Sequence, residues 1–219
     1  MTQQINNRLI AFTGPDGIGK TTQGKMLVDW MNSESIAWMD WFNVAYVKEL
    51  NDENHIFSLF RSLVYSLYKQ VDVVTLANLI QLNRYVLQKD LVGELKANIN
   101  KVIVVDRWNV CTYCYVKASG VDQVLAASYL TDEHTVIPGL TIMLVGLNGA
   151  TRTSNRAANN NMFEDVGDDF NVKLAKTFLS FNNSIYPGKV VKINNDELTK
   201  KQTHELIKQV VLDHFRGNL

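Results

Sequence analysis

Along this chain, short apolar runs that break into polar or glycine-rich turns alternate with longer stretches of helical spacing. Leu9-Ile-Ala-Phe-Thr13 is such a run and ends in glycines, which predicts a buried strand entering a tight loop. From Lys20 onward Met26, Leu27, Trp30 and Met31 recur at the spacing of one helix face. Ile36-Ala-Trp-Met39 reads as a second strand, followed by helices over about 53–69 and 73–99. Val102-Ile-Val-Val105 is short, β-branched and wholly apolar, the pattern of a central parallel strand. Helices are expected over 108–118 and 121–131, then a buried strand at Thr141-Ile-Met-Leu-Val145. Leu174, Phe178, Phe181 and Ile185 predict one helix face, and Val190-Val-Lys-Ile193 a last strand. Leu206, Ile207, Val210, Val211 and Phe215 mark a closing amphipathic helix.

Strands that alternate with helices in this way argue for an α/β fold, a parallel sheet covered on both faces. The length, 219 residues, suits a single domain over 1–219, and neither an internal repeat nor a linker divides it. Lys+Arg and Asp+Glu are both 22, so the chain lacks the basic excess of a nucleic-acid or membrane-surface partner. MTQQINNRLIAF has no signal-peptide pattern and no apolar run has bilayer-spanning length, which leads us to expect a cytoplasmic enzyme or binding protein. Cys111 and Cys114 stand as C-x-x-C without a second pair or nearby histidines, and read as small buried residues. The histidines at 55, 134, 204 and 214 are scattered and read as surface or packing residues.

Chemistry enters at Gly14-Pro-Asp-Gly-Ile-Gly-Lys-Thr-Thr22, which contains G-x-x-x-x-G-K-T between a predicted strand and a predicted helix. In such a loop Gly14, Gly17, Ile18 and Gly19 turn backbone N–H groups toward phosphates, at a helix N-terminus whose potential is positive. Lys20 is placed to reach the β- and γ-phosphates of a nucleotide, Thr21 to help hold Mg²⁺, and Thr22 to follow them into the helix. A carboxylate, Asp16, sits in the middle of this anion cradle, an unusual position for it.

Asp106-Arg107 closes the strand at 102–105, and ligands of open α/β sheets bind at the carboxyl ends of their strands. Asp106 would hold the magnesium shell and Arg107 would grip a second anion. Arg152 and Arg156 lie four residues apart beside the polar tract Ala157-Ala-Asn-Asn-Asn161. Arginines on a closing segment neutralise a phosphoryl group in flight and exclude water from it.

In this order the three motifs resemble the thymidylate kinases of the nucleoside monophosphate kinase group. The resemblance runs from about residue 8 to 195. It is carried by GPDGIGKTTQ at 14–23, Asn83-Arg84-Tyr85, Asp106-Arg107-Trp108 through Tyr115, the arginines at 152 and 156, and Phe163-Glu164. It implies a three-layer P-loop fold with a five-stranded parallel sheet and a short lid over about 149–164. It further implies ATP and a deoxynucleoside monophosphate as substrates, Mg²⁺ as cofactor, transfer of the γ-phosphoryl to dTMP, and a homodimer packed through the apolar 53–82 region. On the acceptor side, the resemblance gives Asp16 the sugar 3′-hydroxyl and Arg84 the base. Arg107 takes the acceptor phosphate, Tyr115 disfavours a ribose, and Glu164 completes the acceptor-binding set. With Gly rather than a basic residue at Gly17, the catalytic arginines fall to the lid, at Arg152 and Arg156, beside Lys20 and Arg107.

Departures from the family pattern fall at the acceptor. Ile80 stands where the family places a Phe that stacks on thymine, Val116 replaces its Gln, and residues 40–48 have neither Arg nor Pro, with Lys48 as the available cation. Acceptors with another or a modified base, or a deoxynucleoside, are therefore the nearest rivals to dTMP. A non-catalytic nucleotide-binding protein is the rival of another class. As a GTP-type switch it calls for N-K-x-D, which the sequence lacks.

Overall fold

The chain is described here by a computed structural model covering residues 5–33, 42–50, 55–68, 70–147 and 167–217. β1 (Ile5–Thr13) runs into the glycine loop and α1 (Lys20–Ser33). β2 (Asn43–Lys48), α2 (His55–Leu67) and α3 (Val73–Ala97) lead to β3 (Lys101–Asp106). α4 (Asn109–Ala118), α5 (Gln123–Thr131), β4 (Ile137–Val145), α6 (Gly167–Leu179), β5 (Lys189–Asn194) and α7 (Lys200–Arg216) complete the order. The five strands lie in the order β2-β3-β1-β4-β5, and every neighbouring pair is parallel.

Alternate side chains of a strand serve opposite faces, and β1 uses both. Ile10 and Phe12 pack with Leu27, Trp30 and Met31 of α1 and with Ile207 and Val211 of α7. Leu9 and Ala11 pack on the other face with Leu87, Leu91 and Leu95 of α3. Val102 to Val105 of β3 are wholly buried, worth roughly 1.5–3 kcal/mol each relative to exposure, and this holds the central strands in register. Polar caps set where helices begin. The Asp72 carboxylate accepts from the Val74 and Thr75 amides at α3, and Thr199 and Gln202 form a reciprocal capping box at α7. No helix among the described residues is long and apolar enough to cross a membrane.

Two expectations are corrected here. Residues 40–48, expected to follow a strand, contain one: Val44, Tyr46 and Val47 form a β-branched and aromatic run whose Val44 seats in the core, so β2 occupies Asn43–Lys48. The expected strand at 36–39 lies outside the described residues. The helix face predicted through Ile185 ends at Leu179, because the Asn182 side chain caps a separate short turn at Asn183–Ile185. Phe181 is buried beyond that end, so helical spacing continued after the helix stopped.

Candidate active site

The chain leaves β1 through Gly14, whose φ is +144°. A Cβ at this position would overlap the Leu144 carbonyl oxygen of the neighbouring strand, so glycine lets the loop turn over β4. Ile18 is buried, and its carbonyl accepts from Asn195 Nδ2 at 2.8 Å, which ties the loop to the end of β5. Lys20 opens α1, with Nζ 2.7 Å from the Pro15 carbonyl oxygen and 3.6 Å from Asp16 Oδ1. Burial chiefly, and then the Arg107 charge, pull the Lys20 pKa down. Thr21 faces β3, whereas Thr22 is exposed.

Asp106 and Arg107 end β3 beside that loop. Arg107 has φ +74°, a left-handed conformation costing of order 1–3 kcal/mol for a residue with a side chain. Its amide donates to the Phe12 carbonyl at 2.9 Å, which holds the turn against β1. The turned side chain donates from Nη2 to Asp16 Oδ1, and Tyr115 Oη of α4 donates to Asp16 Oδ2 at 2.7 Å. The same guanidinium lies 5.5 Å from the Tyr115 ring centre and 3.2 Å from Cys111 Sγ. Burial by itself raises the Asp16 pKa. The charges of Arg107 and Lys20 and the hydrogen bonds from Tyr115 and Arg107 outweigh it and hold the carboxyl at about 2. Two cations and one carboxylate, none far from another, thus stand at one end of the sheet. Cys111 and Cys114 are buried thiols, and burial pushes both thiols up.

Asp106 Oδ2 accepts from Thr21 Oγ1 at 2.5 Å and from Tyr46 Oη at 2.6 Å. Its Oδ1 is buried without a hydrogen-bond partner among the described residues. An acceptor left in that condition costs about 1–3 kcal/mol, and a hard cation with oxygen ligands suits it. The donor set of Thr21 and Asp106 therefore fits Mg²⁺.

Arg84, expected to bond the acceptor base, lies inside the fold. It is 0% exposed, and each of its three guanidinium nitrogens has a protein partner. Nε pairs with Glu49 Oε1 at 2.5 Å, Nη1 donates to Gln81 Oε1, Nη2 donates to Thr112 Oγ1 at 2.8 Å, and the group lies 5.4 Å from the Trp108 ring centre. A buried guanidinium needs a counter-charge, and Glu49, just past β2, supplies it. A base reaches Arg84 here only by exchanging one of these partners. Gln81 extends the network to Asp132 and to Thr135 Oγ1, the latter at 2.6 Å. Ile80 is half-buried on the same helix, and Lys48 is exposed in register with Asp106. The expected site residues Arg152, Arg156 and Glu164 lie outside the described residues.

Tyr46, Glu49, Gln81 and Thr112 were not among the expected site residues. The signal for the first two was the run Asn43-Val-Ala-Tyr-Val-Lys48. Read as a strand parallel to 102–105, it brings its carboxyl end, and Glu49 after it, to Asp106.

The family model for thymidylate kinase matches residues 12–207. The chain belongs to the thymidylate kinase family. A thymidylate kinase of Orientia tsutsugamushi (strain Ikeda) is 23% identical over 232 residues, covering 100% of this chain and 99% of that one. Among solved structures, a thymidylate kinase from Ehrlichia chaffeensis aligns with TM-score 0.64 at 18% identity, over 95% of this chain and 99% of its own. One from Candida albicans aligns with TM-score 0.66 at 18% identity, over 94% and 91% respectively. These two structures share the fold. In this chain the glycine loop follows the carboxyl end of β1, and its Asp16 meets Arg107, the residue after β3.

Proposed function

We propose that this chain transfers the γ-phosphoryl group of ATP to dTMP, giving dTDP and ADP. The observation that carries the proposal is the meeting of Lys20, Asp16, Arg107 and Tyr115 in one cluster, which brings a lysine suited to donor phosphates beside polar groups suited to a sugar and phosphate. Transfer of this kind asks mainly for positioning and charge neutralisation. Lys20 holds the donor phosphates, Arg107 the acceptor phosphate, and Asp16 the acceptor's 3′-hydroxyl. When these substrates arrive, Asp16 accepts from a neutral hydroxyl, and Arg107 exchanges a carboxylate for a phosphate. Both exchanges keep the number of charge-assisted hydrogen bonds. Tyr115, packed among Phe170 and Phe178, stands where a 2′-hydroxyl would crowd it. Arg152 and Arg156 bring further positive charge to the phosphoryl group in flight. Thr21 and Asp106 hold Mg²⁺, which supplies charge neutralisation and orientation to the donor phosphates.

A second reading, a deoxynucleoside monophosphate with another base, is favoured by two features. Arg84 is enclosed by Glu49, Gln81 and Thr112, and Ile80 offers an aliphatic face in place of a stacking ring. A homodimer is proposed through α2 and the start of α3, where Ile56, Leu59, Leu63, Tyr65 and Leu82 are exposed, Leu59 by 62%. The test of the activity is ADP release from ATP against a panel of nucleosides and nucleoside monophosphates. The highest kcat/KM is expected with dTMP, and no ADP release with any acceptor would overturn the proposal.

A further inference from the structure

The Asp106 carboxylate is held asymmetrically. Among the described residues, Oδ2 accepts from Thr21 and from Tyr46, while the buried Oδ1 has no hydrogen-bond partner. Tyr46 comes from β2, where it pairs in register with Val104, and Lys48 pairs with Asp106. Residues two apart on a strand share a face, so the Tyr46 ring and the Asp106 carboxylate leave the sheet on the same side, toward α1.

The ring has a seat on that helix. Gly24 stands three residues after Thr21, and a Cβ there would lie 2.8 Å from Tyr46 Cε2. Glycine inside a helix is unfavourable relative to alanine, and here its missing side chain is what admits the phenol. Thr21, Gly24, Tyr46 and Asp106 therefore form one unit across two strands and a helix.

We propose that Tyr46 is a positioning residue for the nucleotide's divalent cation, orienting Asp106 so that Oδ1 faces it. This rests on the assignment of Thr21 and Asp106 to that cation. The phenol is suited to the task because it only donates here. Its hydroxyl donates to Oδ2 at 2.6 Å while its ring is seated at Gly24. Whichever way the Thr21 hydroxyl turns, Tyr46 continues to hold Oδ2 and fixes the rotation of the carboxylate. Partners of this kind, one bond removed from the metal, orient the ligands that touch it.

The test is Mn²⁺ binding, read by electron paramagnetic resonance, to the full-length protein with a non-hydrolysable ATP analogue. Tyr46→Phe keeps the ring in its seat and removes only the hydroxyl. It is expected to weaken Mn²⁺ roughly tenfold to a hundredfold, the usual cost of losing a hydrogen-bonding partner of a metal ligand. The Mg²⁺ concentration for half-maximal turnover should rise alongside, with kcat at saturating Mg²⁺ retained, a split that a merely unstable variant does not produce. In an Asp106→Asn background the same change is expected to add nothing. Unchanged Mn²⁺ affinity in Tyr46→Phe, or an equal loss in both backgrounds, overturns the role of Tyr46. If Asp106→Asn itself leaves Mn²⁺ affinity unaltered, the cation assignment fails first and the proposal with it.

Discussion

Asp16 and Arg107, 91 residues apart in sequence, form an ion pair between the loop after β1 and the residue after β3. The pair joins the two central strands at the end where the phosphate loop opens, and Tyr115 and Lys20 complete its surroundings. Its strength makes acid a probe of the site.

The Asp16 carboxyl is held at about 2 against an ordinary 3.8, so its folded pKa is depressed. A depressed carboxylate contributes stability that is fully present above the unfolded value and is lost as pH falls through the folded value. Asp16 is 19% exposed, and the shift corresponds to about 2 kcal/mol at neutral pH. Stability is therefore expected to fall between about pH 4 and pH 2. Urea unfolding across that range should show a shallower acid leg in Asp16→Asn than in the parent protein. Identical slopes would remove the pair from the list of stabilising interactions.

Glu49 is the counter-charge of a guanidinium with no exposure. Glu49→Ala leaves that charge buried and uncompensated, and a loss of about 3–5 kcal/mol in unfolding free energy is expected. Replacing both partners, with Arg84→Met added, should recover much of the loss, since two apolar groups leave no buried charge unpaired. A double variant no more stable than Glu49→Ala would contradict the coupling.

Charge on the transferred phosphoryl group is assigned to Lys20 and to the arginines at 152 and 156. Lys20→Ala is expected to lower kcat by about 10²–10³, the effect of losing one preorganised electrostatic contact. Arg152→Ala and Arg156→Ala should each lower kcat more than they weaken ATP binding, read as kcat against KM in a coupled ADP assay. Normal turnover in the double variant would end the assignment.

Much of the fold was legible because the buried strands are short apolar runs, and β1, β3, β4 and β5 each contain the run that predicts them. The phosphate loop was legible for a local reason, since glycine spacing and a following lysine are set by one turn of chain. β2 was harder. Its Tyr46 and Lys48 carry polar ends to the site, so its hydrophobic signal is diluted, and Ile36-Ala-Trp-Met39 offers a stronger apolar run nearby. Misplacing that strand concealed Tyr46 and Glu49, whose importance depends on register with Asp106. The engagement of Arg84 was invisible for another reason: its partners Glu49 and Thr112 come from distant segments, and no spacing in the sequence announces them.

Transfer of a phosphoryl group to dTMP is read in the fate of the γ-phosphate. ATP labelled at the γ-phosphorus should be incubated with dTMP, Mg²⁺ and the protein, and the products separated. Label is expected in dTDP, at its β-phosphorus, with one ADP formed for each. Label appearing as inorganic phosphate, or remaining in ATP with dTMP unchanged, would contradict it.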